Sequence, residues 1–248
     1  MSESVKANNT NKFLSAEWRH LAMLNYEIDP ACLLPYVPSG TELDTWNGKT
    51  FVSVVGFLFL KTKVRGLSIP FHTDFEEVNL RFYVRRLGDE GWRRGVVFIK
   101  EIVPKPAIAA VARLVYNENY VALPMRHEVR AASFSPPSLA VEYSWRFKNQ
   151  WNRLEVKTKG SLQPIMPGSE EEFITEHYWG YAAQKDGGCM EYQVEHPPWR
   201  VWQVGDCVLD CDVAELYGPA FVESLQAEPS SAFLAEGSPV IVRQGIRL

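Results

Sequence analysis

The residues best suited to chemistry stand in a row along one predicted strand. Four polar residues alternate there with four apolar ones, Glu77, Asn79, Arg81 and Tyr83 with Val78, Leu80, Phe82 and Val84. This period of two is typical of a β-strand with one polar and one apolar face. On an open sheet the polar face is only solvated, whereas inside a barrel it forms the wall of a polar pocket.

Two other charged residues, Arg19 and Glu101, lie within strongly apolar sequence. A charge enclosed in a barrel must be paired or must serve a ligand, because an isolated buried ion loses its hydration. The candidates for substrate binding are therefore Arg19, Glu77, Asn79, Arg81 and Glu101. The alternative is that Glu77, Arg81 and Glu101 form cross-strand ion pairs on a solvated face and have no function.

Other chemistries lack support in the sequence. The histidines are scattered without the spacing of a metal site, and the cysteines lack CxxC spacing. Glycine-rich nucleotide loops and the GxSxG elbow are absent, and no feature places a base beside a serine or cysteine nucleophile. The sequence therefore predicts no metal and no cofactor, and it leaves the catalytic residues unknown.

Charge and hydropathy limit the partners. The net charge of −4 argues against a nucleic-acid-binding surface. The longest apolar run, residues 51–60, is too short to span a bilayer, and the polar first twelve residues do not resemble a secretory signal. We therefore expect a cytoplasmic protein with free thiols, without nucleic-acid or membrane partners. The sequence leaves a homo-oligomer open.

Short alternating segments and turn signals recur along the chain, which favours a mainly antiparallel β architecture. Asn47-Gly48 predicts a hairpin between residues 41–46 and 49–60. A second hairpin is predicted around residues 87–91, and Pro106 is placed to begin a short helix after it. We expect residues 1–12 to be a disordered tail and residues 13–248 to be a single domain.

Four segments resemble the YqjF-like family of bacterial proteins, whose function is unknown. They are Phe13-Leu-Ser-Ala-Glu-Trp-Arg19, Asp74-Phe-Glu-Glu-Val-Asn-Leu-Arg81, Arg94-Gly-Val-Val-Phe-Ile-Lys-Glu-Ile-Val-Pro104 and Glu176-His-Tyr-Trp-Gly180. The resemblance runs from about Phe13 to the end of the chain. It places the protein in the acetoacetate decarboxylase-like superfamily and implies an incomplete, cone-shaped antiparallel β-barrel with an interior site. The polar face should then point inward, and the apolar face should pack beneath covering helices and loops.

By this resemblance, only part of the decarboxylase site has a counterpart in this sequence. The resemblance places Arg19 where the decarboxylases hold the substrate carboxylate, and it aligns Lys100-Glu101-Ile102 with their Arg-Glu-Leu segment. The decarboxylases' lysine pair falls near Ala107-Ile108, and two of their site glutamates fall near Ser53 and Val64. An imine needs a lysine amine with a lowered pKa, and neither alanine nor isoleucine can supply one.

Three functions therefore compete. The first is an interior pocket that binds a small organic acid without Schiff-base decarboxylase chemistry. The second is a lyase-type enzyme, a decarboxylase or an aldolase-like protein, that uses a non-equivalent lysine; Lys100 and Lys105 are the nearby amines. The third is a non-catalytic interaction module. Convergence of the candidate residues in one enclosed cavity would favour the first two.

Overall fold

Fourteen strands form one hydrogen-bonded sheet across residues 11–132 and 138–248, the part of the chain that a computed structural model describes. The strands are β1 (Lys12–Ile28), β2 (Glu42–Leu43), β3 (Thr50–Val64), β4 (Phe75–Gly88), β5 (Gly91–Val103), β6 (Tyr120–Ala122), β7 (Met125–Ala132), β8 (Ser138–Phe147), β9 (Gln150–Pro164), β10 (Trp179–Ala183), β11 (Cys189–Glu195), β12 (Arg200–Asp210), β13 (Ser231–Arg243) and β14 (Ile246–Arg247). The helices are α1 (Pro30–Leu33), α2 (Pro106–Tyr116), α3 (Glu170–Thr175), α4 (Val213–Leu216) and α5 (Val222–Gln226). The predicted mainly β fold with a few short helices is confirmed.

Seven of the described strands close a ring. Their order is β11-β10-β5-β4-β3-β1-β13, and the second half of β13 pairs back onto β11 at Val194↔Val242. Neighbours within the ring are antiparallel except β10 and β5. Because the ring is closed, each of its strands turns one face to an interior and the other face outward.

A second layer covers the outside of the ring. Strands β12, β9, β8 and β7 continue the sheet from the first half of β13. Tyr143 of this layer packs directly on β3, where a Cβ atom added to Gly56 would lie 2.6 Å from the tyrosine ring. The absence of a side chain at Gly56 therefore allows this close approach of the two layers.

The side chains of β4 alternate between an outer core, which lies between the ring and the second layer, and the interior of the ring. Leu80 and Phe82 are fully buried in the outer core with Trp145 and Leu154. Glu77, Asn79 and Tyr83 are equally buried but face the interior of the ring. The predicted assignment of the two faces is confirmed. The cover differs from the prediction, because it is formed by strands β8 and β9 together with α4 and α5.

The predicted first hairpin forms only as a turn. Asn47 and Gly48 both have positive φ, and an isolated bridge joins Trp46 to Lys49. The hairpin does not extend, because β1 and β4 occupy both edges of β3. The short β2 pairs with the end of β4 instead, at Glu42↔Arg85. The central hairpin is confirmed, since β4 and β5 pair up to Gly88↔Gly91.

The predicted disordered tail falls mostly outside the described residues. Of residues 1–12 the structure describes Asn11 and Lys12, and Lys12 already pairs with Arg243 at the start of β1. Within residues 11–132 and 138–248, every helix is too short or too polar to cross a membrane.

Gly237 provides a test of the packing where β13 leaves β12 and approaches β11. Its φ is +77°, and a Cβ atom there would lie 2.0 Å from the Trp18 carbonyl oxygen. We expect Gly237→Ala to cost more free energy of unfolding than the ~1 kcal/mol typical of an unfavourable φ alone. Gly187→Ala is the control, because Gly187 has a φ of +84° with open space around it. Equal losses for both variants in chemical denaturation would contradict the close contact.

Candidate active site

The interior of the ring encloses a cavity of about 280 Å³ with a mostly apolar wall. Aromatic rings form much of this wall, at Trp18, Phe57, Phe59, Phe75 and Trp199. Phe59 and Phe75 stack with their centroids 4.7 Å apart, and the edge of Trp18 meets Phe57 at 5.3 Å. Concave apolar walls with a few polar groups are typical of small-molecule sites.

A bulge in β5 brings Glu101 into this cavity. Leu80 pairs with Lys100, but Arg81 pairs with Phe98, so that Ile99 has no partner on β4. Ile99 packs in the outer core, while Phe98 and Glu101 both line the cavity. An extra residue in one strand reverses the facing of all residues beyond it. The bulge therefore sets Glu101 beside its register partner Asn79.

Three glutamates converge at one side of the cavity. Glu77 and Glu101 are 2% and 1% exposed, and Glu118 joins them from the segment between α2 and β6, with part of its surface on the cavity. Asn79 donates its amide Nδ2 to Glu77 over 2.9 Å, and the Tyr120 hydroxyl donates to the other Glu77 oxygen over 3.2 Å. Tyr192 donates its hydroxyl to Glu118.

Burial favours the protonated, neutral form of these acids. Burial raises the pKa of Glu77 to about 7 and that of Glu118 to about 7. Burial, reinforced by repulsion from the other two carboxyls, raises the pKa of Glu101 well above its ordinary value. A buried carboxyl without a cationic partner is more stable when neutral.

Arg81 is the guanidinium that lines the cavity. Its Nη2 donates to the Ile174 carbonyl over 3.3 Å, and its guanidinium carbon lies 5.7 Å from the Tyr83 ring centroid. Its Nε is buried and donates to no acceptor among the described residues. The Tyr83 hydroxyl in turn bonds to Ser53, which donates to Asn25 over 2.6 Å. This chain of buried hydrogen bonds fixes the face from which Arg81 projects.

The structure adds a histidine that the sequence analysis missed. His177 lines the cavity and lies 3.3 Å from Asp44, which also accepts from Arg94 over 2.7 Å. Burial raises the pKa of Asp44, but the bonds from His177 and Arg94 outweigh this effect and lower it to about 2. Burial lowers the pKa of His177 to about 4, so its ring is neutral at pH 7. His177 and Asp44 are 133 positions apart in the sequence, so only folding brings them together.

Arg19 does not join the other candidates. The structure brings Glu77, Asn79, Arg81 and Glu101 to the cavity, but Arg19 donates to Glu17 over 2.9 Å and to the Gly237 carbonyl over 3.3 Å. The cause is a bulge in β1, where His20 has a φ of +55° and the pairing with β3 shifts. The bulge turns Trp18 and Leu21 inward and leaves Arg19 outside. The expectation that Arg19 lies in one cavity with the other candidates is therefore wrong.

The cavity has no lysine among its described lining residues. Ala107 and Ile108, where the resemblance places the lysine pair, do line it. Lys100 faces away, into a shallow groove beside Tyr217, because the β5 bulge turns it outward. Lys105 precedes α2 at its N-cap position. The cavity can thus offer protonated carboxyls, a guanidinium and a neutral imidazole to a ligand.

The buried acids predict a pH dependence of stability. The folded-state pKa of Glu77 is raised, so the unfolded chain releases this proton first and stability is lost as pH rises from 4.5 through about 7. We expect Glu77→Gln to raise the melting temperature at pH 8 and to change it little at pH 5.

The matched control is Glu76→Gln. Glu76 is the neighbouring residue, and a hydrogen bond with His127 lowers its pKa. Its replacement should bring no gain in melting temperature at pH 8. A gain for Glu77→Gln of the same size at pH 5 and pH 8 would contradict a buried proton on Glu77.

Solved structures of low sequence identity share this fold. An enduracididine biosynthesis enzyme, MppR, complexed with pyruvate is 11% identical with a TM-score of 0.68, covering 98% of this chain and 92% of that one. The acetoacetate decarboxylase of Legionella pneumophila is 12% identical with a TM-score of 0.61, covering 100% and 92%. An acetoacetate decarboxylase-like enzyme from Sphingomonas wittichii RW1 is 13% identical with a TM-score of 0.63, covering 100% and 97%. These likenesses establish an acetoacetate decarboxylase-like fold.

Sequence comparison gives the family. The uncharacterized protein YqjF of Bacillus subtilis (strain 168) is 26% identical over 214 residues, covering 84% of this chain and 82% of that protein. The DUF2071 family, described as an uncharacterized conserved protein, matches residues 15–239. That span includes the ring strands from Ser15 to Pro239 and every candidate residue of the cavity. The chain belongs to the DUF2071 family.

Proposed function

We propose that this protein binds a small organic acid in its interior cavity, with Arg81 holding the ligand's carboxylate, and that it does so without Schiff-base chemistry. The observation that carries the proposal is the buried Nε of Arg81, which donates to no described acceptor while the guanidinium lines an apolar cavity. A guanidinium presents parallel N–H groups that match the two oxygens of a carboxylate. Burial in an apolar wall strengthens that attraction relative to water.

The fold supports this class of ligand. The structure with a TM-score of 0.68 is an enzyme complexed with pyruvate, a small oxo acid. At 11% identity the likeness concerns the fold, so the ligand class for this chain rests on its own residues. The described wall carries one arginine, Arg81, and no lysine, and the imidazole of His177 is neutral, which favours an anionic ligand beside Arg81.

The proposal that no imine forms is supported by the position of the amines. A Schiff base requires a lysine nitrogen at the bound carbonyl, and removal of carbon dioxide then uses that imine to accept the electrons. Lys100 faces the opposite side of β5 from the cavity, and Lys105 is not on its described wall. The geometry therefore gives no support to the lyase alternative with either lysine. The interaction-module alternative predicts no binding of small acids.

The cellular setting stays a prediction. All four cysteines are free thiols, which agrees with a reducing cytoplasm. A homo-oligomer stays possible as well.

Substitutions can show whether Arg81 or Arg19 binds the carboxylate of the ligand. We expect Arg81→Gln to weaken binding of pyruvate and pentanoate by at least about tenfold in calorimetry, because it removes a charged hydrogen-bond donor. Arg19→Gln should change the affinity by less than about twofold, since Arg19 is not among the residues that line the cavity. The opposite ranking would restore Arg19 as the carboxylate site. Failure of the wild-type protein to bind any small acid would favour the interaction module.

Imine formation is tested by reduction. Wild-type protein incubated with pyruvate or acetoacetate and then treated with borohydride should show no added mass. Ala107→Lys places an amine on the cavity wall, and we expect this variant to form a pyruvate adduct at residue 107. An adduct on Lys100 or Lys105 of the wild-type protein would overturn the proposal and favour the lyase.

A further inference from the structure

The glutamate side of the cavity holds two acceptor oxygens without partners. Asn79 Oδ1 and Glu101 Oε2 are buried, and neither accepts a hydrogen bond from any described residue. The other end of the same amide is satisfied, because Asn79 Nδ2 donates to Glu77. Asn79 and Glu101 are register partners on β4 and β5, and both line the cavity. Buried polar atoms are normally satisfied, so these two point to a ligand that donates hydrogen bonds.

The charges of the same region indicate the kind of donor. Glu77, Glu101 and Glu118 form no ion pair with a described lysine or arginine, while Arg81 exerts only a weaker attraction on Glu77. In an apolar wall these carboxyls are more stable neutral unless a cation lies beside them. The described carboxyls are not grouped in the geometry that a metal ion requires. An organic cation with several N–H donors fits both the unpaired oxygens and the excess of acid.

We propose that Asn79, Glu77, Glu101 and Glu118 form a subsite for an ammonium group, so that the ligand is an amino-substituted carboxylic acid. The ammonium end bonds to Asn79 Oδ1 and Glu101 Oε2, and the carboxylate end bonds to Arg81. This inference rests on the proposed function for its carboxylate end only. Asn79 and Arg81 are two residues apart on one face of β4, so their Cα atoms are roughly 7 Å apart. A chain of about four methylene groups spans that distance.

Binding of an ammonium group must release protons. An adjacent cation favours the ionised form of a carboxyl, so entry of the amine lowers the pKa values of the cluster. The titratable groups that act on Glu101 are Glu77 from β4, Glu118 from the segment after α2 and Tyr120 from β6. The same cavity is also lined by Arg81, His72, His177, His196 and Tyr192. Burial raises the pKa of Tyr120 well above its ordinary value, so the carboxyls are the source of the protons. The affinity for the amine should therefore rise between pH 6 and pH 8.

The test compares three probes by calorimetry on the full-length protein: 5-aminopentanoate, pentanoate and pentylamine. We expect wild-type protein at pH 8 to bind 5-aminopentanoate at least about tenfold more tightly than pentanoate. Titrations in two buffers of different ionisation enthalpy should report proton release for 5-aminopentanoate and not for pentanoate. Glu101→Gln should reduce the ratio of the two dissociation constants to below about threefold. Glu76→Gln, the same change on a residue of β4 that does not line the cavity, should preserve the ratio.

Each outcome separates the two proposals. Equal binding of pentanoate and 5-aminopentanoate to the wild-type protein overturns the ammonium subsite and leaves the organic-acid function intact. Binding of pentylamine that is lost in Glu101→Gln but unaffected by Arg81→Gln supports the subsite and overturns the carboxylate role of Arg81. Binding of none of the three probes overturns both. If Glu101→Gln does not fold, the probe comparison and the proton release of the wild-type protein decide the question.

Discussion

The alternation of side chains along β4 is the constraint on which the rest of the structure depends. Successive residues of a strand must point to opposite faces, and in a closed ring one of those faces is an interior. The apolar set around Leu80 and Phe82 can then be buried only if something covers the outside, and the second layer of strands supplies this cover. The polar set around Glu77 and Asn79 is buried by the same closure, although these residues would be solvated on an open sheet.

Two bulges determine which other residues face the interior together with that polar set. The bulge in β5 turns Ile99 and Lys100 outward together and returns Glu101 to the interior beside Asn79. The bulge in β1 turns Trp18 and Leu21 inward and places Arg19 against Glu17. Each bulge adds one residue and so reverses the facing of everything beyond it. The composition of the cavity, acidic at one side and free of described lysines, follows from these local insertions.

The cavity is lined by polar groups that an apolar core would not contain. Three carboxyls kept neutral, a guanidinium with an unpaired Nε and an imidazole held by Asp44 share one largely apolar enclosure. Such groups reduce stability above the ordinary pKa of a glutamate, because the folded protein must retain protons that the unfolded chain releases. Perturbed pKa values of this kind cluster at functional sites. The cost in stability is therefore understandable if the groups act on a ligand.

Local patterns in the sequence predicted the mainly β fold, the two faces of β4 and the turn that joins it to β5, because alternation and turn residues are local properties. The sequence also placed Glu77, Asn79, Arg81 and Glu101 among the candidates. It could not exclude Arg19, since a bulge at His20 depends on how β1 pairs with β3. Nor could it find His177 and Glu118, which reach the cavity from the segments after α3 and after α2, or Asp44, which contacts His177 from a segment far away in sequence. Only the tertiary structure decided these positions, because register and ring closure arise from pairing between distant strands, which no local pattern encodes.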